Sequence, residues 1–156
     1  MALKLYIAYG TAADQVIALR LQALAAVNGL SVYVPPAYTR RVGAINLEPE
    51  SEAKLIDSDL VLGVVTTGMS DACRQELNSA RNNLIKSIIL ADPTPAFSLQ
   101  EYFPGNIIVI DPTNPARAEQ EIVQVLEQAK VEQAAKTALI ALGTLALGLM
   151  LFAPQD

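Results

Sequence analysis

Five short apolar runs alternate along this chain with longer stretches whose apolar residues recur at helical spacing. We predict strands over residues 3–8, 30–34, 60–65, 87–91 and 106–110. The third run, Leu-Val-Leu-Gly-Val-Val, contains no polar position, which is typical of a central parallel strand covered on both faces. Strand–helix alternation with right-handed crossovers predicts an α/β domain built on a parallel sheet.

Helical patterns fill the intervals between these strands. We predict helices over 11–28, 50–57 and 71–82 and a long one from about 116, with Gly29 ending the first and Ser70 capping the third. The preferred fold is flavodoxin-like, a five-stranded parallel sheet in the order 2-1-3-4-5 with helices on both faces. In such a sheet ligands bind at the carboxyl ends of the strands, between the first and third. The loops expected to bind a ligand are 9–13, 35–43 and 66–71.

The composition excludes several classes of function. The chain has no histidine, which rules out His-based triads and most zinc sites. Its one cysteine, Cys73, cannot form an intrachain disulfide and fits a reducing compartment. Acidic residues outnumber basic ones by 16 to 11, and no basic cluster is longer than Arg40-Arg41, so no nucleic-acid partner is expected. No Walker motif or Gly-x-Gly-x-x-Gly follows a predicted strand.

The segment 137–153 carries no charge over 17 residues. As a helix it would be about 25 Å long, the short end of what crosses a bilayer core. Lys130 and Lys136 precede it, so we expect a single-pass membrane protein with its N-terminal domain in the cytoplasm. The alternatives are an apolar helix buried in an oligomer or folded back onto the domain. We divide the chain into a domain, 1–130, and a C-terminal transmembrane helix with a short tail, 131–156.

The tail also offers a means of self-association. Thr144 and Gly148 form a small-xxx-small pair that lets two helices approach closely, so we expect a homo-oligomer. The preceding helix runs into the apolar segment with no breaker, and domain and tail are therefore expected to share one helix of nearly forty residues.

The densest polar cluster follows the third strand, over residues 66–77. On a helix that begins near Ser70, Cys73 and Glu76 are neighbours, while Leu77 and Ala80 would pack on the sheet. Helical side chains lean toward the N-terminus, so Glu76 would reach back toward the strand ends. The alternative is a solvent-facing Glu76. Cys73 is expected to be a small buried residue rather than a nucleophile.

Here the chain resembles Toll/interleukin-1 receptor (TIR) domains. That family has a helix reading roughly Ser-x-Trp-Cys-x-x-Glu-Leu, and this chain reads Ser-Asp-Ala-Cys-Arg-Gln-Glu-Leu at 70–77. Tyr-Ile-Ala-Tyr at 6–9 resembles the first-strand pattern Phe-Ile-Ser-Tyr, and 55–62 resembles the entry to a later strand. The resemblance covers about residues 3–130; Ala72 stands where the family has tryptophan. The nucleoside deoxyribosyltransferases are a more distant likeness.

The resemblance implies cleavage of the N-glycosidic bond of NAD, in signalling or anti-phage defence. It gives Glu76 the catalytic role, with NAD as substrate and no cofactor. The nucleotide pocket then falls to the polar residues that follow the first three strands, namely Tyr9, Gly10, Thr11, Arg40, Arg41, Thr67, Ser70 and Asp71.

Two functions of different classes therefore stay open. The first is a membrane-anchored, TIR-like enzyme that cleaves NAD once it is assembled. The second is a non-catalytic effector that binds a nucleotide, such as a cyclic nucleotide, or another TIR surface. In the second case the response is the assembly of the C-terminal helices, which perturbs the membrane.

Overall fold

The sheet contains five strands, and every neighbouring pair is parallel. The computed structural model describes residues 4–27, 30–36, 47–66, 68–93, 107–109 and 120–121. The strands are β1 (Lys4–Tyr9), β2 (Ser31–Tyr33), β3 (Leu60–Val65), β4 (Lys86–Ala91) and β5 (Ile107–Val109). The helices are α1 (Gln15–Val27), α2 (Pro49–Ile56) and α3 (Asp71–Asn82). The strand order β2-β1-β3-β4-β5 confirms the predicted parallel α/β fold and its order.

Each face of the sheet carries its own apolar core, because successive strand residues point to opposite faces. The α1 face holds Leu5 and Tyr9 of β1 and is packed by α1 over β1 and β2. The α3 face holds Tyr6 and Ala8 and is packed by α3 together with Leu55 of α2. Helices therefore lie on both faces, as predicted.

The connection from β1 to α1 differs from the prediction of a helix beginning at Thr11. Thr11 is extended, with φ −134° and ψ 172°, and Ala12–Asp14 form a 3-10 turn before α1 begins at Gln15. The reason is long-range, since the Asp14 carboxylate accepts hydrogen bonds from Thr66, 52 residues away. This contact fixes the start of the first helix four residues later than the sequence pattern indicates.

Helix α3 has the bounds predicted from sequence, and both of its ends are defined by hydrogen bonds. At its start the Ser70 hydroxyl accepts from the backbone N–H of Cys73 at 3.2 Å, as expected for an N-cap. At its end the N–H of Ile85 donates to Ala80 O at 2.8 Å, and Leu84 takes a left-handed conformation with φ 58°. This is the hydrogen-bonding pattern that closes many helices, with leucine where glycine is commoner.

The predicted C-terminal hydrophobic helix, 137–153, lies outside the described residues. Within the part of the chain that the structure describes, no helix is long and apolar enough to cross a membrane. Gln120 and Glu121 are helical, and they lie near the start of the long helix predicted from about residue 116.

Candidate functional site

Glu76 is a buried carboxylate on the inner side of α3. Its exposed fraction is 1%, which rules out the solvent-facing alternative. The phenol O–H of Tyr6 donates to Glu76 Oε2, across 70 residues of sequence. We call Tyr6 and Glu76 the buried pair. Because a buried carboxylate is costly unless it is hydrogen-bonded, this contact stabilises an acidic residue inside the apolar layer of the α3 face.

The buried pair belongs to a short polar chain within that layer. The rings of Tyr6 and Tyr33 pack with their centroids 5.4 Å apart. The Tyr33 hydroxyl and Ser51 Oγ, which is on α2, share a hydrogen bond of 3.0 Å. Cys73, one turn before Glu76, is fully buried among the apolar side chains, as predicted. Side chains of α3, β1, β2 and α2 are thus connected in series, from Glu76 through Tyr6 and Tyr33 to Ser51.

A second polar cluster lies at the carboxyl ends of β1 and β3. We call residues 10–14, 66 and 68–70 the carboxyl-edge loops. Gly10 N donates to Val64 O at 2.8 Å, and Ser70 N donates to Gly10 O at 2.7 Å. A β-carbon on Gly10 would overlap the carbonyl oxygen of Gly68, so only glycine fits there. The loop after β1 is therefore attached directly to the N-cap of α3.

Asp14 is the second buried carboxylate, and it joins the same two loops. Its exposed fraction is 1%. Its carboxylate accepts from Thr66 N at 3.2 Å and from the Thr66 hydroxyl. Burial raises the pKa of Asp14 above its ordinary value, against the opposing effect of the hydrogen bonds from Thr66.

Asp92 follows β4 directly and extends the acidic character of this edge. Its backbone N–H donates to Val65 O at 3.1 Å. Partial burial raises the pKa of Asp92, and the nearby charge of Asp14 raises it further. The carboxyl edge over β1, β3 and β4 thus carries two carboxyl groups close enough for one charge to act on the other.

The predicted site residues divide between two places. Gly10, Thr11 and Ser70 meet at the carboxyl edge, and Asp71 is exposed at the first position of α3. Glu76 instead contacts Tyr6, three residues before the end of β1. α3 starts at the carboxyl edge and rises about 1.5 Å per residue, so six residues take Glu76 roughly 9 Å away from its own N-cap.

Tyr9 lies on the opposite face of the sheet from Glu76. Its hydroxyl donates to Pro35 O at 2.6 Å, and its ring is fully buried in the core of the α1 face. It therefore links β1 to the segment after β2 and is not brought together with the buried pair. Arg40, Arg41 and Thr67 lie outside the described residues.

Sequence reasoning missed Tyr6 and Asp14. Tyr6 belongs to a predicted strand, and a tyrosine on a buried strand face usually has a polar partner, which the strand pattern does not identify. Asp14 stood inside a predicted helix, and its partner Thr66 is distant in sequence. A signal was available for Asp14, since polar residues soon after β1 face the carboxyl edge of a parallel sheet.

No group of three or more cysteine, aspartate or glutamate side chains placed to hold a metal ion occurs among the described residues. No protein-family model matches the chain, and no curated protein matches it significantly.

Proposed function

We propose that this chain is a membrane-anchored, TIR-like protein that cleaves the N-glycosidic bond of NAD when it is assembled. The observation that supports this best is the buried pair, a carboxylate held by a phenol inside a parallel α/β domain. The resemblance at 70–77 supplies the reaction class, and Glu76 is the acidic residue of that motif.

The chemistry suits a fixed carboxylate. When nicotinamide leaves with the electron pair of the glycosidic bond, positive charge develops on the ribose carbon. A preorganised carboxylate in a site of low polarity stabilises that charge strongly. Water then bonds to the ribose carbon and loses a proton, giving ADP-ribose, nicotinamide and H⁺. Glu76 is the catalytic residue, and Tyr6 holds its carboxylate in one orientation.

Burial of Glu76 also bears on regulation. A carboxylate that is 1% exposed cannot touch a substrate from bulk solvent. Turnover therefore requires the α3 face to open, and we assign that step to assembly. Anchoring by 137–153 concentrates the chain in two dimensions and favours assembly.

The deciding experiment follows NAD turnover by chromatography with the full-length chain clustered on liposomes. Glu76→Gln removes the charge at nearly constant shape, and the matched control Glu52→Gln removes an exposed acid on α2. We expect a loss of about 10²–10³-fold for Glu76→Gln and none for the control, the range seen when one electrostatic stabiliser is lost. Equal rates for Glu76→Gln and wild type, or a clustered wild type without turnover, would refute the enzyme.

The burial of the Glu76 side chain also supports the second candidate, a non-catalytic nucleotide sensor. In that case a nucleotide binds at the carboxyl-edge loops, where Gly10, Thr11 and Ser70 meet, and the C-terminal helices assemble. Dye release from liposomes on addition of a cyclic nucleotide, undiminished by Glu76→Gln, is the result this candidate predicts. Intact vesicles despite nucleotide-induced oligomers would count against it.

A further inference from the structure

The last turns of α1, α2 and α3 lie where the strands begin, because each helix is followed within a few residues by the start of a strand. We define the amino edge as residues 4, 25–27, 30–31, 53–59 and 79–86. The strand register keeps these strand starts level, since Lys4 lies opposite Ser31 and Leu60 lies opposite Lys86. Asp59 N donates to Lys4 O at 2.8 Å, which attaches the α2–β3 connection to β1. All three helices therefore end on one side of the domain.

Each of these helix ends carries a large apolar side chain in solvent. Val27, Ile56 and Leu84 are 85%, 53% and 94% exposed. α2 and α3 pack against each other, so Ile56 and Leu84 lie at the same end of neighbouring helices. The other two large apolar side chains that are exposed in the described part of the chain, Val16 and Leu19, lie in the first two turns of α1. Single exposed apolar residues are common, but their concentration on one side indicates an interaction surface.

Leu84 is the most informative of the three. Its backbone is left-handed, with φ 58°, a conformation that glycine or asparagine adopts more easily. The N–H of Leu84 donates to Arg81 O at 3.1 Å and that of Ile85 to Ala80 O at 2.8 Å, so the backbone is fixed and the side chain is held outside the fold. Neither packing nor backbone preference accounts for a leucine here, whereas insertion of its side chain into an apolar medium does.

The charges of the amino edge indicate which partner would cover it. Four basic side chains, Lys4, Lys54, Arg81 and Lys86, stand against two acidic ones, Asp57 and Asp59. Both acidic groups are bonded to Lys4, since its Nζ lies 2.7 Å from Asp57 Oδ2 and its backbone N–H donates to Asp59 Oδ2 at 2.9 Å. The amino edge therefore has a surplus of two positive charges in a chain whose net charge is −5.

The arrangement suits a bilayer surface better than a protein partner. Basic residues in a last turn also match the helix dipole, which accounts for Lys54 and Arg81, but Lys86 is the first residue of a strand and no helix end requires it. The apolar tips lie on both sides of the sheet, because α1 packs on one face and α2 and α3 pack on the other. Separate apolar tips among basic residues can enter an anionic membrane surface, whereas a protein interface usually has one contiguous apolar core.

We propose that the amino edge lies on an anionic membrane surface, with its three apolar side chains in the headgroup region and its basic side chains on anionic headgroups. This inference rests on the membrane anchoring of the proposed function and is independent of NAD cleavage. Two net positive charges should favour contact with an anionic over a neutral bilayer by roughly 30-fold. The carboxyl-edge loops, at the other ends of the strands, then face away from the bilayer and stay open to a soluble ligand.

Spin-label accessibility in the full-length chain on vesicles tests this orientation. Asn82→Cys places a label at the exposed end of α3, two residues from Leu84. Arg74→Cys places the control label about 12 Å away, near the other end of the same helix. The native Cys73 is fully buried, and the unsubstituted chain shows whether it takes any label.

In vesicles that contain phosphatidylglycerol, we expect the label at 82 to be shielded from a water-soluble nickel reagent and accessible to oxygen. The label at 74 should stay accessible to the nickel reagent. Neutral phosphatidylcholine vesicles, or high salt, should remove most of the shielding at 82, because the attraction between exposed charges is then absent or screened. Equal accessibility of the two labels in the phosphatidylglycerol vesicles would overturn the proposal.

Two variants identify the groups responsible. Leu84→Asn removes the apolar side chain and keeps a residue that accepts the left-handed backbone, and Lys86→Glu reverses one charge. Each should lose the shielding at 82, so shielding that survives both would contradict the proposal. Shielding that rises with protein density on neutral vesicles would also contradict it, since a second copy would then cover the edge. Flotation with neutral vesicles tests the anchor 137–153 separately, and NAD enters neither measurement, so the failures of these claims can be told apart.

Discussion

Asp14 and Glu76 are equally buried, each with an exposed fraction of 1%, and each accepts a hydrogen bond from a hydroxyl group. Their surroundings differ. Asp14 also accepts a backbone N–H from Thr66 and joins two loops that are attached to each other at Gly10. Glu76 lies inside an apolar layer, against a phenol on a strand.

Asp14 therefore joins two loops, whereas Glu76 is hydrogen-bonded to a strand side chain within one layer of the fold. Every contact of Asp14 described above lies in the carboxyl-edge loops, so the loops depend on it. An apolar side chain of similar size would fit the layer around Glu76 with less desolvation cost. A costly carboxylate in such a place is characteristic of a functional site.

The largest expected effect is at Gly10, where the carboxyl-edge loops make their closest approach. Gly10→Ala should lower the free energy of unfolding by about 3 kcal/mol, since the added methyl group overlaps the Gly68 carbonyl and backbone must shift. Gly68→Ala is the control, because nothing lies within 4 Å of a β-carbon there. Urea unfolding of both variants measures the difference. Similar stabilities for the two would mean that the loops are not packed against each other.

Asp14→Asn should lower the free energy of unfolding by about 2 kcal/mol, because one carboxylate oxygen becomes an NH2 group and only one acceptor oxygen is left for the two Thr66 donors. Thr66→Ser keeps a hydroxyl and serves as the conservative control. Urea unfolding again provides the measurement. A decrease in the free energy of unfolding below about 0.5 kcal/mol, the usual size for a surface substitution, would show that Asp14 does not hold the loops together.

The cost of Asp14→Asn should also depend on pH. The pKa of Asp14 is raised in the folded protein, so its contribution to stability is fully present below the unfolded pKa near 3.8 and is lost as pH rises through the folded pKa. Asparagine does not titrate, so the variant does not lose stability at this position as pH rises. The difference in stability between wild type and variant should therefore shrink as pH rises from about 3.5, in unfolding curves collected across that range. A difference that grows as pH rises would mean that the Thr66 hydrogen bonds lower the pKa of Asp14 by more than burial raises it.

Tyr6→Phe tests the buried pair itself. Removing the phenol O–H takes a donor from a buried carboxylate and should lower the free energy of unfolding by about 1 kcal/mol. Under the proposed function it should also lower the kcat of NAD cleavage while leaving KM nearly unchanged, because Tyr6 orients Glu76 and does not hold the substrate. Tyr33→Phe, which leaves Glu76 its donor, is the control. A loss of stability with an unaltered kcat would assign Tyr6 a structural role alone.

The parts of the fold that could be predicted from sequence are those set by local patterns. β3 and α3 have their predicted bounds, because an uninterrupted apolar run and a serine N-cap are local signals. The start of α1 could not be predicted, since a hydrogen bond from Thr66 determines it. The helix pattern placed Leu77 and Ala80 on the sheet correctly. It did not show which face of β1 would meet Glu76, because that depends on how α3 crosses the strands.

The central claim is that Glu76 is present for chemistry rather than for stability. The free energy of unfolding of Glu76→Gln, compared with that of wild type in the full-length chain, tests it most directly. The amide keeps an acceptor for the Tyr6 hydroxyl and removes a buried charge, so we predict a change within about 1 kcal/mol of zero or a gain in stability. A loss as large as that of Asp14→Asn would contradict the claim and make Glu76 a structural residue.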